Sequence, residues 1–297
     1  MKLERIKQVA VINAGPIASQ IAQLFSQVGK YPVMLMDVET ELVNNGIQAI
    51  SGGLKRFFVD KGKMKQDEMD EIVNRIKGTT DIAEAVKNAD FVVEGAEENL
   101  AAKRDIFRQL DKSAPPDTIL ASNTIFLDMT AIANATNRPD KVVGMHFFEP
   151  MTVMRLVEVV KGATTSDESM AVTIALAEKL GKDPVVCKGF SYGHLANRAY
   201  FGMVDEAVQM VWERVAPPEA IDKTLKLGYN LPMGPLEVGD FAGFWGILAL
   251  AEQDRIREAG PQKGHLHPLV RMMAAAGYVG GRGNKGIYDF YRDVLSE

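Results

Sequence analysis

The chain has 297 residues, 46% hydrophobic and 25% charged, a composition typical of a globular protein with two domains. Its net charge of −5, with acidic and basic residues interleaved, argues against bulk nucleic-acid binding. The single Cys187 excludes an internal disulfide, no apolar run reaches the ~18 residues of a membrane span, and no signal peptide fits before the first strand, so we expect a cytoplasmic protein.

The N-terminal part of the chain alternates predicted strands with predicted helices. Short apolar runs predict strands at 8–12, 33–36, 91–94, 118–121, 142–145 and 156–160. Helical patterns occupy 17–25, most of 39–76, and 171–180, which Gly181 closes. Strand, turn, helix and strand make one βαβ unit. The alternation therefore predicts an α/β fold with a Rossmann-type doubly wound parallel sheet.

Beyond about residue 190 the pattern changes to successive helices. They are predicted at 197–212, 218–227, 243–259 and 266–275, with Pro- and Gly-rich turns between them. We therefore place a dinucleotide-binding domain at 1–190 and an all-α C-terminal domain at 191–297. His265 and His267, beside Pro268, are expected at a helix entry. We predict no metal site, because nothing supplies further ligands at usable spacing.

The turn after the first strand matches a dinucleotide-binding motif that lacks its first glycine. Gly15 lets the backbone approach a pyrophosphate, and Ala18 lets the helix pack closely on the strand. Asn13 replaces the first glycine, and asparagine is the least costly substitute in a left-handed turn. Asp37 ends the next strand, where a carboxylate binds the ribose hydroxyls and repels a 2′-phosphate, which predicts NAD rather than NADP. Alone, the imperfect motif also suits an ordinary turn that binds no ligand.

His146 and Glu158 form the candidate catalytic pair. Each lies in or beside an apolar run that predicts a strand, and two neighbouring parallel strands would bring them together. A carboxylate that accepts a proton from one imidazole nitrogen orients the ring and leaves the other nitrogen to take a substrate proton. Separately, each residue would more often be structural. Their joint placement favours a base beside a nicotinamide, which alcohol oxidation requires.

Basic residues are concentrated around a turn at Gly62. They are Lys55, Arg56, Lys61, Lys63 and Lys65. Such a run is usually a solvated helix face. It also suits the phosphates of a bulky acyl carrier, for which Lys55 and Lys61 are the substrate-binding candidates.

Longer motifs extend over essentially the whole chain. They include Glu97-Glu98-Asn99-Leu100, Ala121-Ser122-Asn123-Thr124, Gly144-Met145-His146-Phe147-Phe148, Asn197-Arg198 and Pro232-Met233-Gly234-Pro235. Through these motifs the chain resembles the NAD-dependent (S)-3-hydroxyacyl-CoA dehydrogenases, particularly the short bacterial 3-hydroxybutyryl-CoA type. The resemblance implies a Rossmann-type domain, a helical substrate-binding domain that forms a homodimer, NAD as cofactor and an acyl-CoA as substrate.

The resemblance also implies roles for individual residues. His146 is similar to the family's catalytic base, and Glu158 to its orienting partner. Asn197 is similar to the active-site asparagine that helps hold the substrate oxygen. The positions that match the family's cofactor contacts are Asp37, Glu98, Lys103, Asn123 and, from the C-terminal tail, Arg282.

Four departures fall in motifs that the family places at cofactor or substrate. Ile125 replaces a serine that hydrogen-bonds the substrate oxygen, a loss that can cost roughly 10²–10³ in rate. Glu149 replaces an asparagine, and either stabilises the cationic nicotinamide ring or, if protonated, serves as an acid. His194 replaces a phenylalanine and adds a titratable group. Asn13 replaces the first glycine of the fingerprint.

Three functions compete on this basis. The first is NAD-dependent oxidation of a 3-hydroxyacyl-CoA with an atypical acyl group, with His146 as base and Ile125 lining a more apolar pocket. The second is a non-redox acyl-CoA enzyme, a hydratase, hydrolase or C–C lyase, that uses His146 and Glu149. The third is a catalytically silent binding subunit.

Overall fold

The computed structural model describes residues 2–259 and 266–296, so the expectation for His265 lies outside the described residues. The chain consists of two compact units, Met1–Leu195 and Ala196–Glu297. The sequence predicted a dinucleotide-binding domain at 1–190 and a substrate and dimerisation domain at 191–297. This division, with the function given to each domain, stays a prediction.

The first unit is built around one eight-stranded sheet in the order β3-β2-β1-β4-β5-β6-β7-β8. The strands are β1 Val9–Ile12, β2 Val33–Met36, β3 Ile76–Thr79, β4 Phe91–Glu94, β5 Ile119–Ser122, β6 Val142–Phe147, β7 Leu156–Val160 and β8 Asp183–Cys187. All neighbouring strands are parallel except β6 and β7, which are antiparallel. The prediction of a Rossmann-type sheet is confirmed.

Helices connect these strands. They are α1 Pro16–Gln27, α2 Thr40–Leu54, α3 Gln66–Asn74, α4 Ile82–Val86, α5 Leu100–Ser113, α6 Met129–Ala133 and α7 Asp167–Lys179, and a π-helical turn, Lys55–Val59, extends α2. Residues on β1 alternate between two apolar layers, because successive side chains point to opposite faces of a sheet. Val9 and Val11 pack in one layer, and Ala10 and Ile12 pack in the other. Both faces are therefore covered, which explains the continuous apolar runs.

Two strands are absent from the sequence prediction, and both are edges of the sheet. β3 falls where a helical pattern was predicted to continue to residue 76, and β8 was not predicted. An edge strand is partly solvated, so it lacks the apolar run that marks a central strand. β8 also contains Pro184. Proline has no backbone N–H to donate, so a sheet tolerates it at an edge, where one side of the strand has no neighbour.

The predicted parallel arrangement of the strands that carry His146 and Glu158 is wrong. β6 and β7 are antiparallel, and the register pairs His146 directly with Glu158. Only residues 148–155 connect the two strands. A parallel crossover needs a dozen or more residues, so this short connection forces the chain to turn back.

The second unit is all-α, as predicted. Its helices are α8 Ala196–Trp212, α9 Pro218–Tyr229, α10 Pro235–Ala242, α11 Phe244–Ala259, α12 Pro268–Ala275 and α13 Ile287–Phe290. Trp245, fully buried, belongs to the apolar core of this unit. His267 precedes α12 and its side chain accepts a hydrogen bond from Leu269 N, so it is a helix-entry residue as expected. Within 2–259 and 266–296, no helix is long and apolar enough to cross a membrane.

Candidate active site

His146 and Glu158 form a buried hydrogen-bonded pair at the centre of the candidate site. The two residues are paired across the antiparallel strands β6 and β7, and His146 Nδ1 lies 2.8 Å from Glu158 Oε2. The two residues are 3% and 1% exposed. A carboxylate accepts hydrogen bonds, so Nδ1 carries the hydrogen and Nε2 of the neutral ring is an acceptor. The pair is therefore arranged to take a proton at Nε2.

Residues of the segment 191–195 contact both His146 and Glu158. Glu158 Oε1 accepts a hydrogen bond of 3.0 Å from Leu195 N, so both carboxylate oxygens are engaged. The His194 ring lies 5.5 Å from the His146 ring, and the ring of Phe148, just after β6, lies 4.6 Å from it. The imidazole of His146 is thus fixed by its neighbours as well as by Glu158.

Glu98 organises the loop that follows β5. Its Oε1 accepts hydrogen bonds from Thr124 Oγ1, from Ile125 N at 2.9 Å and from Phe126 N at 2.7 Å. Ile125 is half-buried on this loop and presents no hydroxyl to a substrate. The predicted cofactor contact of Glu98 stays a prediction; its visible function is to shape the loop that carries Ile125.

Asn123 and Lys103, both predicted at the cofactor, take part in interior contacts. Asn123 Oδ1 accepts a hydrogen bond of 2.9 Å from Phe147 N and so ties β5 to β6. The Lys103 ammonium, in a side chain 1% exposed, lies 2.7 Å from Glu94 Oε1 and 2.9 Å from Ala96 O. The ammonium supports the turn after β4, and the expected contact of Lys103 with a cofactor stays a prediction.

The turn after β1 has the left-handed conformation that the missing glycine would have supplied. Asn13 has a φ of 83°, and its Oδ1 accepts a hydrogen bond of 2.9 Å from Gly15 N. Gly15 precedes α1, whose N-terminus has no side-chain cap and begins with Pro16. Ala18 is fully buried, and a Cβ on Gly95 would come within 3.1 Å of its Cβ. The small side chain thus permits the close helix–strand packing that was predicted.

Asp37 joins the end of β2 to this turn. Its Oδ2 accepts a hydrogen bond of 2.7 Å from Ala14 N, and its Oδ1 accepts one of 2.7 Å from Val38 N. The residue is 5% exposed. Its position beside the turn agrees with a ribose contact, which stays a prediction.

Glu149 contacts α1. Its Oε1 accepts a hydrogen bond of 2.6 Å from Gln20 Nε2, while Gln20 Oε1 accepts one of 3.2 Å from Met151 N. Among the described residues, no hydrogen bond or ion pair joins Glu149 to His146. Sequence reasoning missed Gln20, because its partner is 129 positions away and no local pattern links them.

The remaining predicted residues lie on surfaces or in the second unit. Lys55 and Lys61 are exposed, and the Lys61 ammonium lies 5.6 Å from the centre of the Phe57 ring. Asn197 is half-buried in the first turn of α8, and Arg282 is exposed. Within the described ranges there is no group of three metal-ligating side chains.

Two family models cover most of the chain. The model of the 3-hydroxyacyl-CoA dehydrogenase NAD-binding domain matches residues 8–190, and that of the 3-hydroxyacyl-CoA dehydrogenase C-terminal domain matches residues 193–290. The chain belongs to the 3-hydroxyacyl-CoA dehydrogenase family. It is accordingly an oxidoreductase with NAD as its cofactor.

Individual relatives of this family cover the chain almost completely. A "Probable 3-hydroxybutyryl-CoA dehydrogenase" of Bacillus subtilis (strain 168) is 43% identical over 96% of this chain and 98% of the relative. The 3-hydroxybutyryl-CoA dehydrogenase of Clostridioides difficile is 37% identical over 95% and 99%. The structure of (S)-3-hydroxybutyryl-CoA dehydrogenase PaaH1 from Ralstonia eutropha is 36% identical, covers 95% of this chain and 98% of its own, and has a TM-score of 0.86.

Proposed function

We propose that this chain transfers a hydride between C3 of a 3-hydroxyacyl-CoA and NAD, with His146 as the base. The hydrogen-bonded pair of His146 and Glu158 carries the proposal. Its tautomer leaves Nε2 as an acceptor in a buried site, which is the state needed to take the proton of an alcohol. Family membership supplies the reaction class, while the roles of the individual residues rest on this geometry.

The residues that would hold NAD fit a dinucleotide. The N-terminus of α1 has no side-chain cap, so its backbone N–H groups suit a pyrophosphate. Gly15 and the left-handed Asn13 bring the chain into that helix, and the Asp37 carboxylate lies beside the turn. Bound NAD supplies the acceptor for the hydride that leaves C3.

The protein's own residues would manage the proton and the orientation of the substrate. His146 Nε2 takes the hydroxyl proton while C3 becomes a ketone carbon, and Glu158 stabilises the imidazolium through the hydrogen bond to Nδ1. Asn197 is proposed to hold the substrate oxygen. Arg282 is proposed as a further cofactor contact from the C-terminal tail. In the opposite direction, the imidazolium returns its proton to the ketone oxygen.

The acyl-CoA substrate is proposed from the relatives and from two features of this chain. The relatives described above are named for 3-hydroxybutyryl-CoA. The Lys61 ammonium and the Arg56 guanidinium lie beside the ring of Phe57, which is 51% exposed. Cations beside an exposed ring suit the phosphates and the base of CoA, for which Lys55 is a further candidate. Ile125 makes the reacting end more apolar, so we propose an acyl group that departs from that of the named relatives.

We also propose a cytoplasmic homodimer. The second unit exposes large apolar side chains, among them Leu227 at 77%, Tyr229 at 75% and Phe241 at 77%. Exposed apolar surface of this kind is typical of an association interface. Light scattering should give the mass of two chains, and a monomer mass would refute the dimer.

The His146→Gln and Glu158→Gln variants test the proposed base. We expect His146→Gln to lower the rate of NADH oxidation by acetoacetyl-CoA about 10²–10⁴-fold, because no proton donor remains at the ketone. Glu158→Gln should lower it less, since the ring loses only its orienting charge. Both should still bind NADH. His267→Gln, a matched change at a helix cap, should keep the wild-type rate, and an unchanged rate in His146→Gln would remove the mechanism.

The alternatives receive less support. A hydratase, hydrolase or lyase that uses Glu149 with His146 needs both groups at one reacting centre, whereas the described contact of Glu149 is with Gln20 on α1. A silent subunit gives no reason for a buried His146–Glu158 pair. Consumption of an acyl-CoA without any change in nicotinamide absorbance would favour the non-redox enzyme.

A further inference from the structure

Glu149 is a carboxylate at the carboxyl end of β6 that no nearby cation neutralises. It lies just after the strand and is exposed. In the part of the chain that the structure describes, Glu149 takes part in no ion pair. Glu94, at the end of β4, is by contrast paired with Lys103 at 2.7 Å. The negative charge of Glu149 is therefore available to act on a ligand.

A single amide side chain holds this carboxylate in place. Gln20 Nε2 donates a hydrogen bond of 2.6 Å to Glu149 Oε1, and Gln20 Oε1 accepts one of 3.2 Å from Met151 N. Gln20 lies in the second turn of α1, which begins at Pro16. The two hydrogen bonds join the segment after β6 to α1. The Glu149 carboxylate is thus fixed beside the helix whose N-terminus suits a pyrophosphate.

The order of the strands places Glu149 in the nicotinamide half of the cofactor site. A dinucleotide lies across the carboxyl ends of the strands in a doubly wound sheet. Asp37 at the end of β2 marks the adenosine half, and the turn after β1 is next to it. β4, β5 and β6 lie on the other side of β1 and are parallel to it. The other half of the cofactor therefore extends toward the end of β6, the strand that carries His146.

We propose that Glu149 makes this site select the oxidised form of the cofactor, NAD⁺, over NADH. The placement of the nicotinamide beside His146 rests on the proposed function. The nicotinamide ring is a cation in NAD⁺ and neutral in NADH, whereas the rest of the two molecules is the same. A carboxylate near the ring attracts the cation and has little effect on the neutral ring. Glu149 therefore strengthens the binding of NAD⁺ in particular.

The same charge affects hydride transfer on the protein. When bound NADH gives its hydride, with two electrons, to C3 of a 3-ketoacyl-CoA, His146 gives its proton to the ketone oxygen and the nicotinamide ring becomes a cation. Glu149 stabilises that cation. Because the steps form a closed cycle, the factor by which Glu149 favours NAD⁺ in binding also shifts the bound reaction toward the alcohol. Bound NADH is thus a better hydride donor.

The Glu149→Gln variant tests this selection through binding alone. It removes the charge and keeps an oxygen that accepts the hydrogen bond from Gln20. Calorimetry without an acyl-CoA gives the Kd of NADH and the Kd of NAD⁺. We expect the ratio of the first to the second to fall about fivefold in the variant, because NAD⁺ binds more weakly. An unchanged ratio would overturn the proposal.

Added salt and a second carboxylate provide the controls. The phosphates are common to both forms, so their salt dependence cancels in the ratio. Salt screens an exposed charge, and the wild-type ratio should therefore depend on salt more strongly than the Glu149→Gln ratio. Glu39, also exposed, precedes α2 and lies two residues after Asp37, in the adenosine half. Glu39→Gln should leave the ratio unchanged, and an equal fall in both variants would contradict a specific effect of Glu149.

Oxidation of NADH by acetoacetyl-CoA separates this proposal from the proposed function. A lower ratio in Glu149→Gln, in a protein that reduces no 3-ketoacyl-CoA, would uphold the selection of NAD⁺ and refute the function. Normal turnover, with the same ratio in the wild type and in Glu149→Gln, would uphold the function and refute the selection.

Discussion

Asn13 shows how a single residue can keep a turn after its usual glycine is lost. A φ of 83° is open to asparagine at modest cost, and the side chain adds a hydrogen bond to Gly15 N. The sequence predicted this conformation because few other residues tolerate it. It did not predict that Asn13 Oδ1 accepts a hydrogen bond from Gly15 N, immediately before α1. The replacement of glycine by Asn13 therefore keeps the left-handed turn, but it engages Gly15 N, which is then no longer free to donate to a ligand.

Substitutions at Asn13 should separate these two effects. Asn13→Gly keeps the left-handed turn and releases Gly15 N, so NADH should bind as tightly as in the wild type or more tightly. Asn13→Ala places a Cβ in a conformation that costs about 1–2 kcal/mol, and we expect roughly tenfold weaker NADH binding. Fluorescence titration with NADH measures both. Wild-type affinity in Asn13→Ala would show that the turn does not position the cofactor.

The central strands of the sheet were predictable from the sequence, whereas the two edge strands, β3 and β8, were not. β2 and β4 have the predicted bounds, because strands buried on both faces are continuous apolar runs. β3 and β8 lie at the two edges, where solvent replaces one neighbour and the apolar signal is lost. The direction of β7 was mispredicted, since apolar pattern alone carries no information on strand polarity. Connection length, which was available in the sequence, carries that information.

The interior attachment of α5 to the sheet also escaped prediction. Lys103 on α5 reaches Glu94 at the end of β4, and Glu94 Oε2 accepts a hydrogen bond of 2.6 Å from Ser122 Oγ on β5. Both members of the ion pair are at most 1% exposed. The family resemblance predicts a cofactor contact for Lys103, which stays a prediction, but it did not predict this buried ion pair. No sequence pattern distinguishes a buried lysine from an exposed one on a charged helix.

Lys103→Met should therefore lower the stability of the fold. It leaves the buried Glu94 carboxylate without its counter-charge, so we expect a loss of about 3 kcal/mol in the free energy of unfolding. Urea unfolding followed by circular dichroism measures this loss. Lys112→Met, an exposed position on the same helix, should change stability by less than about 0.5 kcal/mol. Adding Glu94→Gln to Lys103→Met should recover part of the loss, and equal effects of the two single lysine variants would contradict this role.

For the whole molecule, the fold class and the family were predictable, because motifs from both units of the chain agree with one family. The NAD-binding and C-terminal family models together support this agreement. Long-range contacts were not predictable. Gln20 with Glu149 and His194 with Thr124 join residues far apart in sequence, and each involves a position where the chain departs from the family. The contacts made by the departures Glu149 and His194 can therefore be identified only in the folded structure.

The most direct test of the central claim is a titration with NADH, followed by nicotinamide fluorescence, with and without a series of 3-ketoacyl-CoA esters that begins with acetoacetyl-CoA. We predict saturable binding of NADH and a loss of its signal that depends on the ester and requires His146. The ester that is consumed most rapidly would define the acyl group that Ile125 accommodates. Binding of NADH without oxidation by any ester of the series would contradict the proposed dehydrogenase reaction.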